Sequence, residues 1–306
     1  MRKGLLADSP PFTQLIMLLF TMVVCFLLLM FIGVLIAPFI LGIPISDMMN
    51  SLHNGSMVQN LNLMRYFQTL QGISLFIIPA FFAAYLFSEN ANVINYLCMS
   101  QPRTLKLGRW YGAVLLLMLA AIPLINIMAA LNEMIVFPQS MTGLEQRLKF
   151  LEEAAQQTTE LFLNVDHLGG MFFNIFMIAI IPALGEELIF RGVLQKIFTR
   201  WTGNIHVAII VCGLLFSMMH LQFYGFFPRW MLGVMFGYLM VWSGTLWIPI
   251  FAHFVNNALA VFCSYLIHKG IISEWVEKFG TNWADIPVTI LAIAICAWLI
   301  WKIKNK

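Results

Sequence analysis

Two adjacent acids constrain this chain more than any other feature of its sequence. Glu186 and Glu187 stand at the end of an apolar run that begins near Met171. A charged side chain at the centre of a bilayer costs about 2.5–3.5 kcal/mol even on insertion-based scales. No other acid lies inside an apolar run, and Glu133 only ends one. Ionisable residues at such depth usually mark a functional site, so we expect the neighbouring segments to fold around Glu186.

The composition places the chain in the membrane class. Of its 306 residues, 61% are hydrophobic and only 10% are charged, whereas soluble domains are about 25% charged. The net charge of +3 is small and the basic residues do not cluster, which argues against a nucleic-acid partner. The five cysteines contain no Cys-x-x-Cys pair, so we interpret them as small apolar residues.

A helix needs about 20 mostly apolar residues to cross the hydrocarbon core of a bilayer. The sequence predicts eight such spans, at 12–41, 64–87, 109–131, 170–198, 204–222, 226–242, 245–267 and 286–302. The fold class is therefore all-α, a polytopic transmembrane helix bundle of about eight spanning helices. The first run is longer than the core of a signal peptide, about 7–15 residues, and we expect it to be retained.

Three regions follow from this order of spans. Residues 1–165 are predicted to hold N-terminal membrane helices and an amphipathic loop helix, 166–270 the helices that carry the candidate site residues, and 271–306 a last spanning helix. In the sixth span, Gly233 and Gly237 have the small-xxx-small spacing of a close-packing helix face.

The basic residues of the loops predict the orientation. With the amino terminus inside, ten Lys and Arg residues fall on the inner side and six on the outer side. Cytoplasmic loops carry the excess of basic residues, so we expect an integral membrane protein of the plasma (inner) membrane with both termini cytoplasmic. The inner set is Arg2, Lys3, Arg103, Lys106, Arg109, Lys196, Arg200, Lys302, Lys304 and Lys306; the outer set is Arg65, Arg147, Lys149, Arg229, Lys269 and Lys278.

The segment 132–169 is the one long polar insertion in the sequence. Leu144, Leu148, Leu151 and Ala155 recur in it at helical spacing, with charged residues between them. This pattern predicts an amphipathic helix that lies on the membrane surface or caps the bundle. It could gate substrate entry or simply connect two spans as a solvated helix.

The fourth span gives its two acids different surroundings. Residues four apart share a helix face, so Glu187 is predicted to pair with Arg191. Glu186 is rotated by about 100° from that face and has no partner on its own helix. Pro182 and Gly185 precede the acids and are expected to bend or loosen the helix there.

Two later spans carry the remaining polar candidates. Phe216 and His220 lie four residues apart on the fifth span, and His253 and Asn257 lie four apart on the seventh. At 1.5 Å per residue, these side chains and Glu186 all fall within the hydrocarbon slab and could meet in one cavity. Hydrolysis needs a base for water and donors for an oxyanion. A glutamate with two histidines is also a common zinc ligand set.

These motifs together resemble a known family. Glu-Glu-x-x-x-Arg, Phe-x-x-x-His and His-x-x-x-Asn follow one another on successive spans between about 170 and 265. This order is similar to that of the CPBP family, the CAAX-protease and bacteriocin-processing intramembrane endopeptidases (the Abi domain). The first 140 residues carry no motif of that family. The resemblance implies a peptide hydrolase that acts on membrane-associated peptides or proteins.

The resemblance also implies roles for single residues. Glu186 and His220 would activate the attacking water, and His253 and Asn257 would hold the oxyanion or join a metal site. Members of the family are described both as metalloproteases and as glutamate-dependent enzymes, so Zn²⁺ is a predicted cofactor whose ligands would be Glu186, His220 and His253. The predicted catalytic residues are Glu186, Glu187, His220, His253 and Asn257, with Arg191 and Phe216 in support.

Other intramembrane proteases fit the sequence poorly. It contains no His-Glu-x-x-His, no Gly-x-Ser-x-Gly and no Asp inside an apolar run. The alternative is a non-enzymatic membrane scaffold, immunity protein or transporter in which the polar residues form a buried network. A transporter should show broken helices in both halves, and the first half has few intramembrane ionisable groups. We therefore predict a membrane peptidase that cleaves near the cytoplasmic side of the bilayer.

Overall fold

The computed structural model describes residues 3–53, 60–90, 92–100 and 107–304. Throughout these ranges the chain is helix, turn or irregular loop, without a strand. Six of the described helices are long and apolar enough to cross a membrane. The predicted all-α membrane bundle is confirmed. Four basic residues used to predict the orientation, Arg2, Arg103, Lys106 and Lys306, lie outside the described ranges.

Ten helices of more than one or two turns make up the described part of the bundle. In chain order they are α1 Pro11–Leu41, α2 Ile45–His53, α3 Leu61–Phe87, α4 Leu107–Glu133, α5 Thr142–Leu163, α6 Leu168–Thr202, α7 Ile205–Met218, α8 Phe226–Ser243, α9 Trp247–His268 and α10 Ile286–Lys304. Shorter helical turns lie at Val93–Tyr96, Gln139–Met141, Phe223–Gly225, Glu274–Lys278 and Trp283–Asp285.

The eight predicted spans correspond to α1, α3, α4 and α6–α10, but the fifth is shorter than predicted. Helix α7 has 14 residues, about 21 Å at 1.5 Å per residue, less than the roughly 30 Å of a hydrocarbon core. It ends at Met218, and Leu221 adopts a left-handed conformation with φ 55°. His220 therefore lies in the turn after the helix, not on the helical face that the sequence predicted.

Helix α6 lies at the centre of the bundle. Every residue from Gly185 to Gln195 is buried, and Leu188, Ile189 and Val193 are fully so. Helix α1 is mostly exposed, because only 11% of its most apolar 18-residue segment is buried. Its exposed apolar side chains suit a lipid environment, whereas the segment of α6 from Gly185 to Gln195 is shielded from lipid by its neighbours.

Helix α8 packs closely on α7 through glycine. A Cβ added at Gly233 would lie 2.9 Å from the Cα of Gly213, and one added at Gly237 would lie 2.9 Å from a methyl of Ile209. No larger residue fits at either position without a shift. The predicted small-residue packing face of this span is confirmed.

The predicted amphipathic helix is present as α5 and contacts the ends of several membrane helices. It packs against α3, the first turns of α6, α9 and the Phe223–Gly225 turn. Of its apolar stripe, Leu148, Leu151 and Ala155 are half-buried, while Leu144 is exposed. Helix α5 thus caps one end of the bundle, and both alternatives, a gate for substrate and a connecting helix, stay predictions.

Candidate active site

The backbone of α6 departs from α-helical geometry on both sides of the acid pair. Ile175–Ile180 and Leu188–Leu194 are π-helical, and the α-helical segment Ile181–Glu187 lies between them. Single π-helical turns occur frequently at functional sites, where they re-aim side chains. The loosened helix that the sequence predicted near the acids is confirmed, and it extends beyond them.

Pro182 connects this distortion to α9. A proline has no backbone N–H, so it cannot donate to the carbonyl four residues earlier, which belongs to Ile178. The side-chain amide of Asn257 donates to that carbonyl at 3.2 Å. The loss of a backbone donor within α6 is thus compensated by a hydrogen bond from the neighbouring helix, which fixes the Asn257 side chain beside the acids.

Gly185 has a different role from the loosening that the sequence suggested. A Cβ at Gly185 would lie 2.8 Å from the Cβ of Phe76, and a Cβ at Gly72 would lie 2.6 Å from Ile181. Both glycines allow α6 and α3 to cross in close contact. We assign Gly185 to helix packing, because it is this contact that a side chain would break.

Glu187 lies in a buried network behind the site. Its Oε1 accepts from Arg191 Nη1 at 2.6 Å, and both side chains are fully buried, so the predicted pair is confirmed. The same oxygen lies 2.9 Å from His253 Nδ1. Arg191 also donates to the carbonyl of Gly233 at 2.6 Å. This network joins α6, α8 and α9, and its carboxylate holds the His253 ring.

Glu186 differs from its neighbour in having no hydrogen-bond partner. It is 8% exposed, and its Oε2 is buried without a partner among the residues that the structure describes. The nearest basic atom to that oxygen is Nε2 of His253, at 3.9 Å. An unsatisfied buried acceptor is costly and calls for an explanation, and a carboxylate that awaits a water or a substrate provides one.

Glu186 opens onto a cavity of about 220 Å³. Four of the predicted site residues line it, Glu186, His220, His253 and Asn257, and Phe216 forms part of its wall. Glu187 and Arg191 lie behind this wall and do not reach the cavity. The polar side chains that line the cavity are Glu186, His220, Arg229, His253, Asn256 and Asn257.

The hydrogen bonds of the two histidines assign their tautomers. Nδ1 of His220 lies 2.9 Å from the carbonyl oxygen of Phe216, which can only accept, so Nδ1 carries the proton and Nε2 keeps its lone pair. Nδ1 of His253 likewise faces the Glu187 carboxylate, and its ring stacks on Phe236 at 5.2 Å between centroids. A histidine oriented by a carboxylate is a recurring feature of catalytic and metal sites.

Sequence reasoning missed Arg229 and Asn256, which the structure places at the cavity. Arg229 enters the sequence prediction only as a basic loop residue of the outer set. Its Nη1 donates to Gln222 Oε1 at 3.2 Å, and its Nη2 donates to the Gln222 carbonyl. Asn256 donates to Asn257 Oδ1 at 3.2 Å. An arginine directly after Pro228, inside an apolar stretch, was the signal that could have identified the first of them.

The turn after α7 is held from outside the cavity as well. Glu152 of α5 accepts from Gln222 Nε2 at 3.3 Å and from the backbone N–H of Tyr224 at 3.1 Å. Gln222 in turn accepts from Arg229. A chain of hydrogen bonds therefore runs from the capping helix to a cavity residue, through the turn that carries His220.

The predicted zinc ligands share the cavity without forming a ligand cluster. Among the described residues, no three His, Cys, Asp or Glu side chains converge as a metal site. In this arrangement Glu186, His220 and His253 do not fit a three-ligand zinc centre. Zinc stays a prediction, and the mechanism proposed below contains no step through a metal.

The comparison with known families bears on one part of the chain. Residues 168–259 match the family described as "Type II CAAX prenyl endopeptidase Rce1-like". This match supports the predicted resemblance to the CPBP family. The match begins at the first residue of α6 and ends two residues beyond Asn257, so it contains every predicted site residue. It leaves out α1–α5, which agrees with the lack of family motifs there.

Curated relatives, like the family model, match only part of this chain. The chain is 36% identical over 93 residues to the membrane-embedded CAAX protease MroQ of Staphylococcus aureus, covering 28% of this chain and 37% of that protein. It is 30% identical over 124 residues to the sporulation-killing factor biosynthesis protein SkfC of Bacillus subtilis, 38% of this chain and 23% of that one.

A third relative is the uncharacterized protein YpbD of Bacillus subtilis, 29% identical over 93 residues, 28% of this chain and 43% of that one. The chain thus spans less than half the length of each of these relatives. No solved structure matches it at a significant level. Its apolar helices and its match to a membrane-protease family support an integral membrane protein.

Proposed function

We propose that this protein is an intramembrane endopeptidase of the CAAX-protease type, in which Glu186 activates water. The observation that carries the proposal is the pairing difference between the two adjacent acids. Glu187 is held at its Oε1 by Arg191 and His253, whereas Glu186 lines the cavity and makes no hydrogen bond to any described residue. A general base needs a free carboxylate within reach of the proton that it takes, and of the two acids only Glu186 has one at the cavity.

The reaction follows from this arrangement. Water in the cavity gives one proton to the Glu186 carboxylate while its oxygen attacks the carbonyl carbon of the peptide bond. The lone pair on His220 Nε2 accepts the second hydrogen of the same water and orients it. When the tetrahedral intermediate collapses, the carbon–nitrogen bond breaks and the leaving nitrogen takes the proton from Glu186. The products are a carboxylic acid and an amine.

Three groups at the cavity can stabilise the oxyanion of the intermediate. Asn257 uses one amide hydrogen on the Ile178 carbonyl and retains the other. Arg229, which also lines the cavity, offers N–H donors, and His253 can donate from Nε2 in its imidazolium form. Removal of one such preorganised donor from another hydrolase raises the activation free energy by about 2.7–4 kcal/mol. Glu187 acts as a positioning residue for His253.

The substrate class is proposed from the relatives and the setting. MroQ is named a membrane-embedded CAAX protease and SkfC a sporulation-killing factor biosynthesis protein. The first name supports a membrane-associated peptide or protein substrate that reaches the cavity from the bilayer. The proposed site of cleavage is near the cytoplasmic face of the plasma membrane, with both termini cytoplasmic. Reporter fusions after Lys306 should report cytoplasm, and fusions within 143–165 should report the opposite side.

The test of the function is substrate accumulation. We expect membrane-associated peptides to accumulate uncleaved when Glu186 is replaced by Ala, and purified wild-type protein to cleave the same peptides. A synthetic peptide that spans the cleavage site supplies the direct assay. If no peptide accumulates and the variant supports normal growth and processing, the result favours the alternative function as a scaffold, immunity protein or transporter. Those functions need only the Glu187 network and not a free Glu186.

The zinc prediction has a separate test. Metal analysis of the purified protein should show stoichiometric zinc that falls in both His220→Ala and His253→Ala if the predicted ligands bind it. Active protein without zinc would leave the Glu186–His220 pair as the water-activating group. By contrast, His206 and His268 lie away from the cavity, on exposed hydrogen bonds to Tyr238 and Asp166, and serve as controls for histidine loss.

A further inference from the structure

A second cavity lies on the opposite flank of α6 from the active site. It is an open groove of about 410 Å³ between the end of α1, the first turns of α3 and Phe173 of α6. The α3 residues along it run from Asn62 to Ile73, about 16 Å at 1.5 Å per residue. The groove is polar at the Asn62 end and apolar at the Ile73 end.

Arg65 stands at the polar end without a counter-charge. All Asp and Glu residues of the chain lie in the described ranges, and none of them is within 4.0 Å of the Arg65 guanidinium. Its Nη2 makes two long hydrogen bonds, 3.4 Å to the Phe162 carbonyl and 3.3 Å to Asn174 Oδ1. Among the described residues its Nε is buried without a partner, and its Nη1 makes no hydrogen bond. The cation therefore has donors left for an anion.

The position of Arg65 in the fold points to the membrane surface. Helix α1 ends at Leu41 and α3 begins at Leu61, so the polar end of the groove lies where two spanning helices leave the bilayer. Ile40 is 61% exposed and Phe173 is 39% exposed, which opens the groove to lipid. Arginine at the end of a spanning helix reaches the level of the headgroups.

We propose that this groove binds an anionic phospholipid, with its phosphate on Arg65 and one acyl chain along Leu70 and Ile73. The order of chemistry along the groove matches that ligand, an anion at the interface followed by hydrocarbon toward the bilayer centre. Guanidinium groups bind phosphate well because their planar donors match its oxygens. A zwitterionic lipid fills the same space but gains less from the unpaired cation.

The experiment is native mass spectrometry of the full chain in micelles that contain equimolar phosphatidylglycerol and phosphatidylcholine. We expect wild-type protein to retain phosphatidylglycerol preferentially, and Arg65→Gln to retain about fivefold less, the effect of one basic residue on an anionic lipid, about 1 kcal/mol. Arg147→Gln removes the same charge from an exposed site on α5 and should retain as much phosphatidylglycerol as wild type.

A second variant keeps the cation and blocks the groove. The hydroxyl of Thr69 bonds only to the Arg65 carbonyl of its own helix at 2.8 Å, so Thr69→Trp fills the groove with little loss of structure. It should lose the retained phosphatidylglycerol even if Arg65→Gln fails to fold. Phosphatidylglycerol should also raise the thermal midpoint of wild type more than that of either groove variant.

Several outcomes overturn the proposal. Equal retention of the two lipids, or an Arg147→Gln variant that loses as much as Arg65→Gln, shows that the groove does not select an anionic lipid. Thermal stabilisation by inorganic phosphate equal to that by phosphatidylglycerol shows a plain anion site without the acyl chain. A lipid-free dimer that Thr69→Trp dissociates shows that a second copy of the chain fills the groove.

Discussion

Helices α3 and α6 share one backbone pattern, but only α6 carries the acid proposed to be catalytic. Each contains a π-helical segment followed two residues later by a proline, Ile73–Ile77 before Pro79 and Ile175–Ile180 before Pro182. The distorted segment of α3 packs against Ile181–Glu187 and Leu188–Leu194 of α6. Because the two helices lie side by side and share this backbone pattern, any functional difference between them comes from side chains.

The side chains around the two distortions differ in their unsatisfied groups. In α3 the buried polar residue is Ser74, whose hydroxyl bonds to the Gln71 carbonyl of the same helix at 3.2 Å. No described side chain donates to the carbonyl of Leu75, four residues before Pro79. In α6 the equivalent carbonyl is bound by Asn257, and Glu186 remains free. A distorted helix is thus a packing device, and an unpaired acid beside it makes a candidate active site.

The sharpest test of this difference is Glu186→Gln. We expect peptide cleavage to fall by about 10²–10⁴-fold, the usual contribution of a general base, with the thermal midpoint at or above that of wild type because a buried carboxylate becomes neutral. Ser74→Ala, the matched change in α3, should leave cleavage unchanged. Wild-type turnover in Glu186→Gln would remove the central residue from the mechanism.

Substitutions in these two helices should also differ in how much they lower the stability of the protein. Arg191→Ala leaves the Glu187 carboxylate buried and uncompensated, which costs about 3–5 kcal/mol, so we expect poor expression and a large fall in the thermal midpoint. Ser74→Ala removes one neutral hydrogen bond, worth about 1 kcal/mol. Equal midpoints for the two variants would show that the buried pair does not hold α6 in place.

Helix α5 contacts the turn after α7, which carries His220 of the site. Glu152→Ala removes the acceptor of Gln222 and of the Tyr224 N–H, and should lower kcat by about tenfold with little change in KM, the effect of about 1.4 kcal/mol on the barrier. Glu153→Ala removes the neighbouring exposed acid and should have no effect. A rise in KM alone would assign α5 to substrate entry and not to positioning of His220.

The smallest expected effect comes from the prolines themselves. Pro182→Ala restores a backbone N–H that competes with Asn257 for the Ile178 carbonyl, so we expect cleavage to fall about three- to fivefold, for about 1 kcal/mol. Pro79→Ala makes the same change in α3, where no side chain uses the freed carbonyl, and should leave cleavage unchanged. Equal losses in both variants would mean that the prolines matter through helix shape alone.

Much of the site was predictable because its residues are anomalous in an apolar sequence. Acids and histidines stand out against spans that are otherwise hydrophobic, and the spacing of Glu187 and Arg191 fixes their contact through helix geometry alone. Arg229 and Asn256 were missed because their place at the cavity is not a local property. An arginine after Pro228 in an apolar stretch marks a special position, but only the packing of α7, α8 and α9 brings Arg229 and Asn256 to the cavity.

The sequence by itself determined the membrane class, the order of the helices and the Glu187–Arg191 pair, because hydropathy and helical period are local properties of the chain. It also distinguished Glu186 as the acid without a partner on its own helix. Only the tertiary structure decided that His253 pairs with Glu187, that His220 lies in a turn beyond α7, and that Asn257 binds the carbonyl freed by Pro182. Those contacts join segments up to 79 residues apart, and their geometry depends on how tilted and distorted helices pack, which a pattern along one chain does not contain.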